Sequence, residues 1–177
     1  LTLSENGADS RLLRLGGGGE DRAATIIGRG KGALIAGSGR PNKDGPWEGR
    51  LIAIDERAQV MWRAPVRHGD GCGIDAAVAA RKGGTLVVGH TREAGSVSRV
   101  FVGLVAQGGR VAWTRTDRRL ADASIGGVVR TGRNHVAILA RGKSADSTAG
   151  VWLLGYRGKR PRWQAEIAGD GVSAIHG

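Results

Sequence analysis

An all-β fold of repeated four-stranded units is what this sequence predicts, and three observations predict it. First, Trp62, Trp113 and Trp163 recur at intervals of 51 and 50 residues, each closing an apolar hairpin pattern: GRLIAIDERAQVMW, SRVFVGLVAQGGRVAW and GVWLLGYRGKRPRW. Second, the stretches before these hairpins align with one another: AATIIGRGKGALIAGSG at 23–39, AAVAARKGGTLVVGHT at 76–91 and GVVRTGRNHVAILARG at 127–142. Third, glycine is abundant at 32 residues while proline numbers four, which points to many tight turns rather than linkers. A repeat of this period names the architecture before any single element does.

The elements follow in order within each repeat. A short strand (A), a Gly- or Arg-rich turn and a more apolar strand (B) come first. A variable loop follows, and then a hairpin (C and D) that ends on tryptophan. In the second repeat A is Asp75–Ala80, B is Thr85–His90, C is Val100–Val105 and D is Arg110–Thr114. Val111 and Trp113 alternate with polar residues in D, as a half-buried strand requires. Small and β-branched residues in A and B predict that these two strands are the more buried. No segment has a 3.6-residue period; RLADASIGG at 119–127 accommodates one helical turn at most. The units fall at about 16–64, 65–115 and 116–165, with partial units at 1–15 and 166–177.

Tandem four-stranded units of this length read as blades of a β-propeller. Trp62, Trp113 and Trp163 then fill the space between one blade and the next. LTLSENGADSRLLRL at 1–15 matches a C–D hairpin, with Leu13 near the tryptophan position, and the last residues finish a D strand and begin an A strand. The expected object is part of a longer propeller of about six to eight blades. Leu1 reads as a processed or trimmed start.

These motifs resemble known bacterial propeller repeats. GGTLVVGHT followed by a hairpin ending in GGRVAW is similar to the repeat of secreted or envelope propellers. GRLIAIDERAQVMW resembles the quinoprotein-like repeat, whose Asp is present as Asp55 but is replaced by Ala106 and Tyr156 in the next units, and whose Thr-Gly is absent. The resemblance implies non-catalytic relatives such as envelope scaffold lipoproteins, and a periplasmic or other cell-envelope or extracellular location.

Net charge is +11, and it sorts unevenly over the predicted architecture. The A–B turns carry Arg29, Lys31, Arg81, Lys82, Arg130 and Arg133. The C–D turns carry Arg11, Arg57, Arg110, Arg157, Lys159, Arg160 and Arg162. These 13 basic residues share one predicted face with four acids, Glu5, Asp9, Asp55 and Glu56. Such a face attracts an anionic partner, an acidic protein first. Nucleic acid fits less well, because few aromatics are available for stacking and no helix is available to enter a groove. The long B–C loop SGRPNKDGPWE at 38–48 holds Trp47, either an interface anchor or a ring folded onto its own blade.

Motifs for chemistry are weak. GRGKG at 28–32 is explained by a turn, and RGKS at 141–144 lacks the earlier glycine of a phosphate-binding loop. HGDGCGID gathers His68, Asp70, Cys72 and Asp75, but at spacings that match no standard metal cage. GVSAI around Ser173 is not a nucleophile elbow. The histidines at 68, 90, 135 and 176 show no i, i+4 pairing. One cysteine excludes an intrachain disulfide. No apolar run approaches the roughly 18 residues of a membrane span. The expectation is therefore a non-enzymatic scaffold or protein-interaction subunit of a larger assembly, without cofactor or metal. The competing class is an enzyme or a ligand- or carbohydrate-binding propeller with its site in the central channel.

Overall fold

The computed structural model describes residues 2–3, 10–11, 19–92 and 97–168. Leu13, Glu5, Asp9, Ser173 and His176 lie outside them. Thr2–Leu3 (β1) and Ser10–Arg11 (β2) pair as an antiparallel hairpin. The first larger sheet is a four-stranded antiparallel meander of β3 (Asp21–Arg29), β4 (Gly32–Gly39), β5 (Glu48–Ile54) and β6 (Val60–Val66). The second has seven strands in the order β13-β12-β11-β10-β9-β8-β7. They are β7 (Cys72–Ala79), β8 (Thr85–Arg92), β9 (Ser98–Val105), β10 (Val111–Arg130), β11 (His135–Lys143), β12 (Ala149–Arg157) and β13 (Arg160–Ala168). A single 3₁₀ turn, Arg81–Gly83, joins β7 to β8. Among the described residues no strand pairing closes either sheet into a barrel or a propeller ring.

The seven-stranded sheet is two four-stranded meanders sharing one strand. β10 pairs with β9 from Val111 to Asp117, then with β11 from Ser124 to Arg130. The turn of helix allowed for at 119–127 is therefore extended chain. A register shift between Asp117 and Ala121, with Asp122 at φ 50°, lets one strand change partners without a loop.

Turn chemistry sets the hairpins. The Asp55 carboxylate accepts the N–H groups of Arg57 (2.9 Å) and Gln59 (2.8 Å), closing the β5–β6 turn as an Asx turn. Gly108 and Gly109, at φ 85° and 90°, give the β9–β10 turn a backbone that side chains disfavour.

Cross-strand pairing explains the tryptophan repeat. Each tryptophan ends a row of four paired residues on one sheet face: Ile27–Leu34–Ala53–Trp62, Val78–Leu86–Leu104–Trp113 and Val129–Ala137–Gly155–Trp163. The first row joins the core between the β3–β6 meander and β7–β10, where Leu34, Leu51, Val66, Ile74, Val87 and Phe101 are fully buried. The second joins the core between β7–β10 and the last unit, built on Val88, Val102, Leu120, Ile138 and Leu154. Each such side chain contributes about 1.5–3 kcal/mol when fully buried, so these two seams hold the units together. Trp62 packs so closely on the next unit's Gly109 that a Cβ there would lie 2.9 Å from its ring. Trp163 is 48% exposed.

The expectation that A and B strands are the more buried holds for the B strands and for β7, where Cys72, Gly73 and Ile74 are buried and no residue is exposed, but not for the other two A strands. β4, β8 and β11 are buried together with the C strands β5, β9 and β12. β3 is largely exposed, and so is the end of β10 that serves as the third A strand. Edge position alone does not decide it: β7 is also an edge strand, but its Cys72 and Ile74 pack in the core shared with the β3–β6 meander.

Candidate docking face and clefts

All six hairpin turns of the three units emerge at one face. Pairs that end the ladders fix this: Arg29 with Gly32, Ile54 with Val60, Ala79 with Thr85, Val105 with Val111, Arg130 with Val136 and Arg157 with Arg160. Contacts between units agree. Arg29 reaches from the first unit to donate to the Gly83 and Gly84 carbonyls of the second unit's turn, the latter at 2.8 Å. Arg29 therefore clamps two turns together, and its charge sits half-buried between them.

The other predicted cations divide into groups. Arg81, Lys82, Arg130 and Arg133 line one cleft of about 320 Å³ between the second and third units, beside His135. Its floor is apolar, formed by Val78, Leu86, Leu104, Val136 and the face of Trp113. No Asp or Glu lines it, and none of the four cations has an ion-pair partner among the described residues. Arg110, Arg157, Lys159, Arg160 and Arg162 are exposed on the same side. Lys31 is different: it pairs with Glu56 at 3.5 Å across a neighbouring cleft that also contains Asp55 and Arg57.

The opposite face carries a second cleft of about 530 Å³ between the first two units, lined by Arg22, Trp47, Asp70, Asp75, His90 and Arg92 among others. Trp47 is half-buried, with the guanidinium of Arg22 at 4.9 Å and that of Arg40 at 5.1 Å from its ring. Both arginines belong to its own unit, while its carbonyl accepts the N–H of Cys72 in the second unit at 2.9 Å. His90 Nδ1 bonds to Asp75 at 2.9 Å, and this bond raises the imidazole pKa against the opposing effect of burial.

The residues of HGDGCGID turn in separate directions. His68 spans Thr114 (2.9 Å) and Thr116 (2.7 Å) with its two ring nitrogens. Cys72 is buried, its thiol donates to the Val66 carbonyl, and burial pushes its pKa up. Asp75 faces His90, and Asp70 is exposed. Among the described residues no three His, Cys, Asp or Glu side chains group as a metal site would require.

One constellation has no counterpart in the sequence reading. Asp117, 4% exposed, accepts hydrogen bonds from the Arg119 backbone (3.0 Å), from Arg119 Nε (3.0 Å) and Nη2 (2.6 Å), and from the Tyr156 hydroxyl. Burial alone would raise the Asp117 pKa, but these donors outweigh it and hold the carboxyl below its ordinary value. Burial and the facing carboxylate push the Tyr156 pKa well up. Arg119 also donates to the Trp163 carbonyl at 2.7 Å. The cluster thus ties the crossover of β10 to β12 and β13. No signal short of pairing residues 39 positions apart could have found it.

No protein-family model matches this chain, and no curated protein matches it. No helix among the described residues is long and apolar enough to cross a membrane.

Proposed function

We propose that the four-stranded units are blades of a β-propeller and that the chain is a non-enzymatic scaffold or protein-interaction subunit. It docks an acidic protein partner through the face where the turns emerge, within a larger assembly of the cell envelope. The observation that carries this reading is the cleft around Trp113. Four cations without counter-ions converge there over an apolar floor. Like charges so close repel one another, which favours an incoming anion. An acidic segment with an apolar side chain would satisfy both parts of the cleft at once. The envelope location rests on the resemblance of the repeats to envelope propellers.

The test is charge reversal. The variant R81E/K82E/R130E/R133E is expected to lose partner binding, while K43E/R92E on the opposite face retains it. Loss in the second variant with retention in the first would overturn the proposal. A second reading, a ligand-binding propeller, draws on the cleft with Arg22, Arg92 and the His90–Asp75 pair beside the A strands β3 and β7. It predicts that K43E/R92E is the damaging variant.

A further inference from the structure

The two internal seams are built from equivalent rows but close differently at the turn face. At the first seam, Arg29 reaches across to the Gly83 and Gly84 carbonyls of the next unit's turn. Gly109, in the β9–β10 turn of that next unit, lies against the Trp62 ring, where an added Cβ would stand 2.9 Å away. The chain thus covers its own tryptophan there.

Both closures are missing at the second seam. Ile27 and Val78 hold equivalent places, each leading its tryptophan row. Two residues beyond Ile27 stands Arg29; two beyond Val78 stands Ala80, whose methyl group cannot bridge to another turn. In the β12–β13 turn the glycine is Gly158, and a Cβ built on it meets nothing within 4 Å. The result is the cleft of about 320 Å³, whose lining includes Ala80, Gly158 and the half-buried Trp113. Small-ligand pockets begin at about 300 Å³, so this opening has room for one large side chain.

We infer that the cleft is a socket for one aromatic side chain of the acidic partner segment, carried between carboxylates on its chain neighbours. The inference rests on the acidic-partner reading of this face and adds what that partner must carry. A ring gains there in two ways. It stacks on the open part of Trp113 above Leu86 and Leu104, and the guanidinium groups of the rim attract its electron-rich face. The rim cations stand on both sides of the opening, Arg81 and Lys82 on the second unit's turn and Arg130 and Arg133 on the third unit's. Carboxylates before and after the ring therefore each find a cation. The cleft beside the first unit's turns lacks this demand. It holds Asp55 and Glu56, and Lys31 pairs with Glu56, so its own acids balance its cations.

Charge and ring contribute separately, which gives the inference its own signature. Salt screens the attraction of any acidic peptide for the rim but leaves the burial of a ring nearly untouched.

The test is a nuclear magnetic resonance titration of the full chain with two capped pentapeptides, EEFEE and EEAEE, at low and moderate salt. The phenylalanine peptide is expected to bind about tenfold or more tighter than the alanine peptide, and to move the indole N–H signal of Trp113. Both affinities should fall with salt while their ratio holds. In Ala80→Arg, which copies the clamp of the first seam into the cleft, the phenylalanine advantage should disappear although a cation has been added. Equal binding of the two peptides would overturn the socket and leave charge-steered docking standing. A phenylalanine peptide that leaves the Trp113 signal in place, or an advantage that survives in Ala80→Arg, would overturn the socket as well. Binding of neither peptide at low salt would overturn both the socket and the acidic-partner reading beneath it.

Discussion

Replacing Asp117 by alanine should be among the most damaging single changes in the molecule. The carboxylate is 4% exposed and accepts four hydrogen bonds, three from Arg119 and one from Tyr156. Without it, the Arg119 charge, whose side chain is 25% exposed, and the Tyr156 hydroxyl, in a residue 2% exposed, lose their acceptor. Removing one partner of a buried pair costs about 3–5 kcal/mol, since the other charge stays uncompensated. Tyr156→Phe removes one donor and leaves Asp117 three, so its cost is about 1.5–3 kcal/mol. For a chain of this length each kcal/mol lowers Tm by about 2–4 °C, so Asp117→Ala should lose roughly 6–20 °C. Urea unfolding followed by tryptophan fluorescence gives both values. The sign with pH is also set. A carboxylate held below its unfolded pKa contributes above about pH 4, and the contribution fades as pH falls through the folded value. An Asp117→Ala chain within about 1 kcal/mol of wild type, or no more damaged than Tyr156→Phe, would refute the reasoning.

Three further outcomes follow from the same structure. His90 has a raised pKa through Asp75, so its stabilisation is full below about pH 6.5 and is lost as pH rises through the folded value; a pH series of melting curves should show this slope, and His90→Gln should remove it. Gly109→Ala should cost about 1–3 kcal/mol, because the new methyl meets the Trp62 ring at 2.9 Å and the backbone is at φ 90°; Gly108→Ala, with open space around it, should cost less in the same denaturation assay. Cys72, buried and with its pKa raised, should react with a thiol reagent only on unfolding, so its modification rate should follow denaturant concentration.

The parts of this fold that could be read from sequence are those written in local pattern. Alternation around Val111 and Trp113, glycine turns and the repeated tryptophan placed the strands to within a few residues. What escaped was written across units. RLADASIGG has too few apolar residues to announce a strand, yet β10 runs through it because Asp117 anchors it to Tyr156. Small residues in β3 suggested burial, but packing partners decide burial, and β3 has few. Of the predicted basic face, the turn positions were readable. That Arg29 is occupied by the Gly83 and Gly84 carbonyls, while Arg81, Lys82, Arg130 and Arg133 share one cleft, depends on how neighbouring units meet. Likewise the sequence left Trp47 as either an interface anchor or a ring folded onto its own blade, and the guanidinium groups of Arg22, from β3, and Arg40, from the same loop, stand over its ring.

The central proposal is a scaffold whose basic turn face receives an acidic partner. Cross-linking mass spectrometry of the chain in its native extract, at low and moderate salt, tests it most directly. The account predicts cross-links from Lys31, Lys82 and Lys159 to one acidic region of one partner, weakened by salt. Cross-links confined to Lys43 on the opposite face, or none to any partner at low salt, would contradict it.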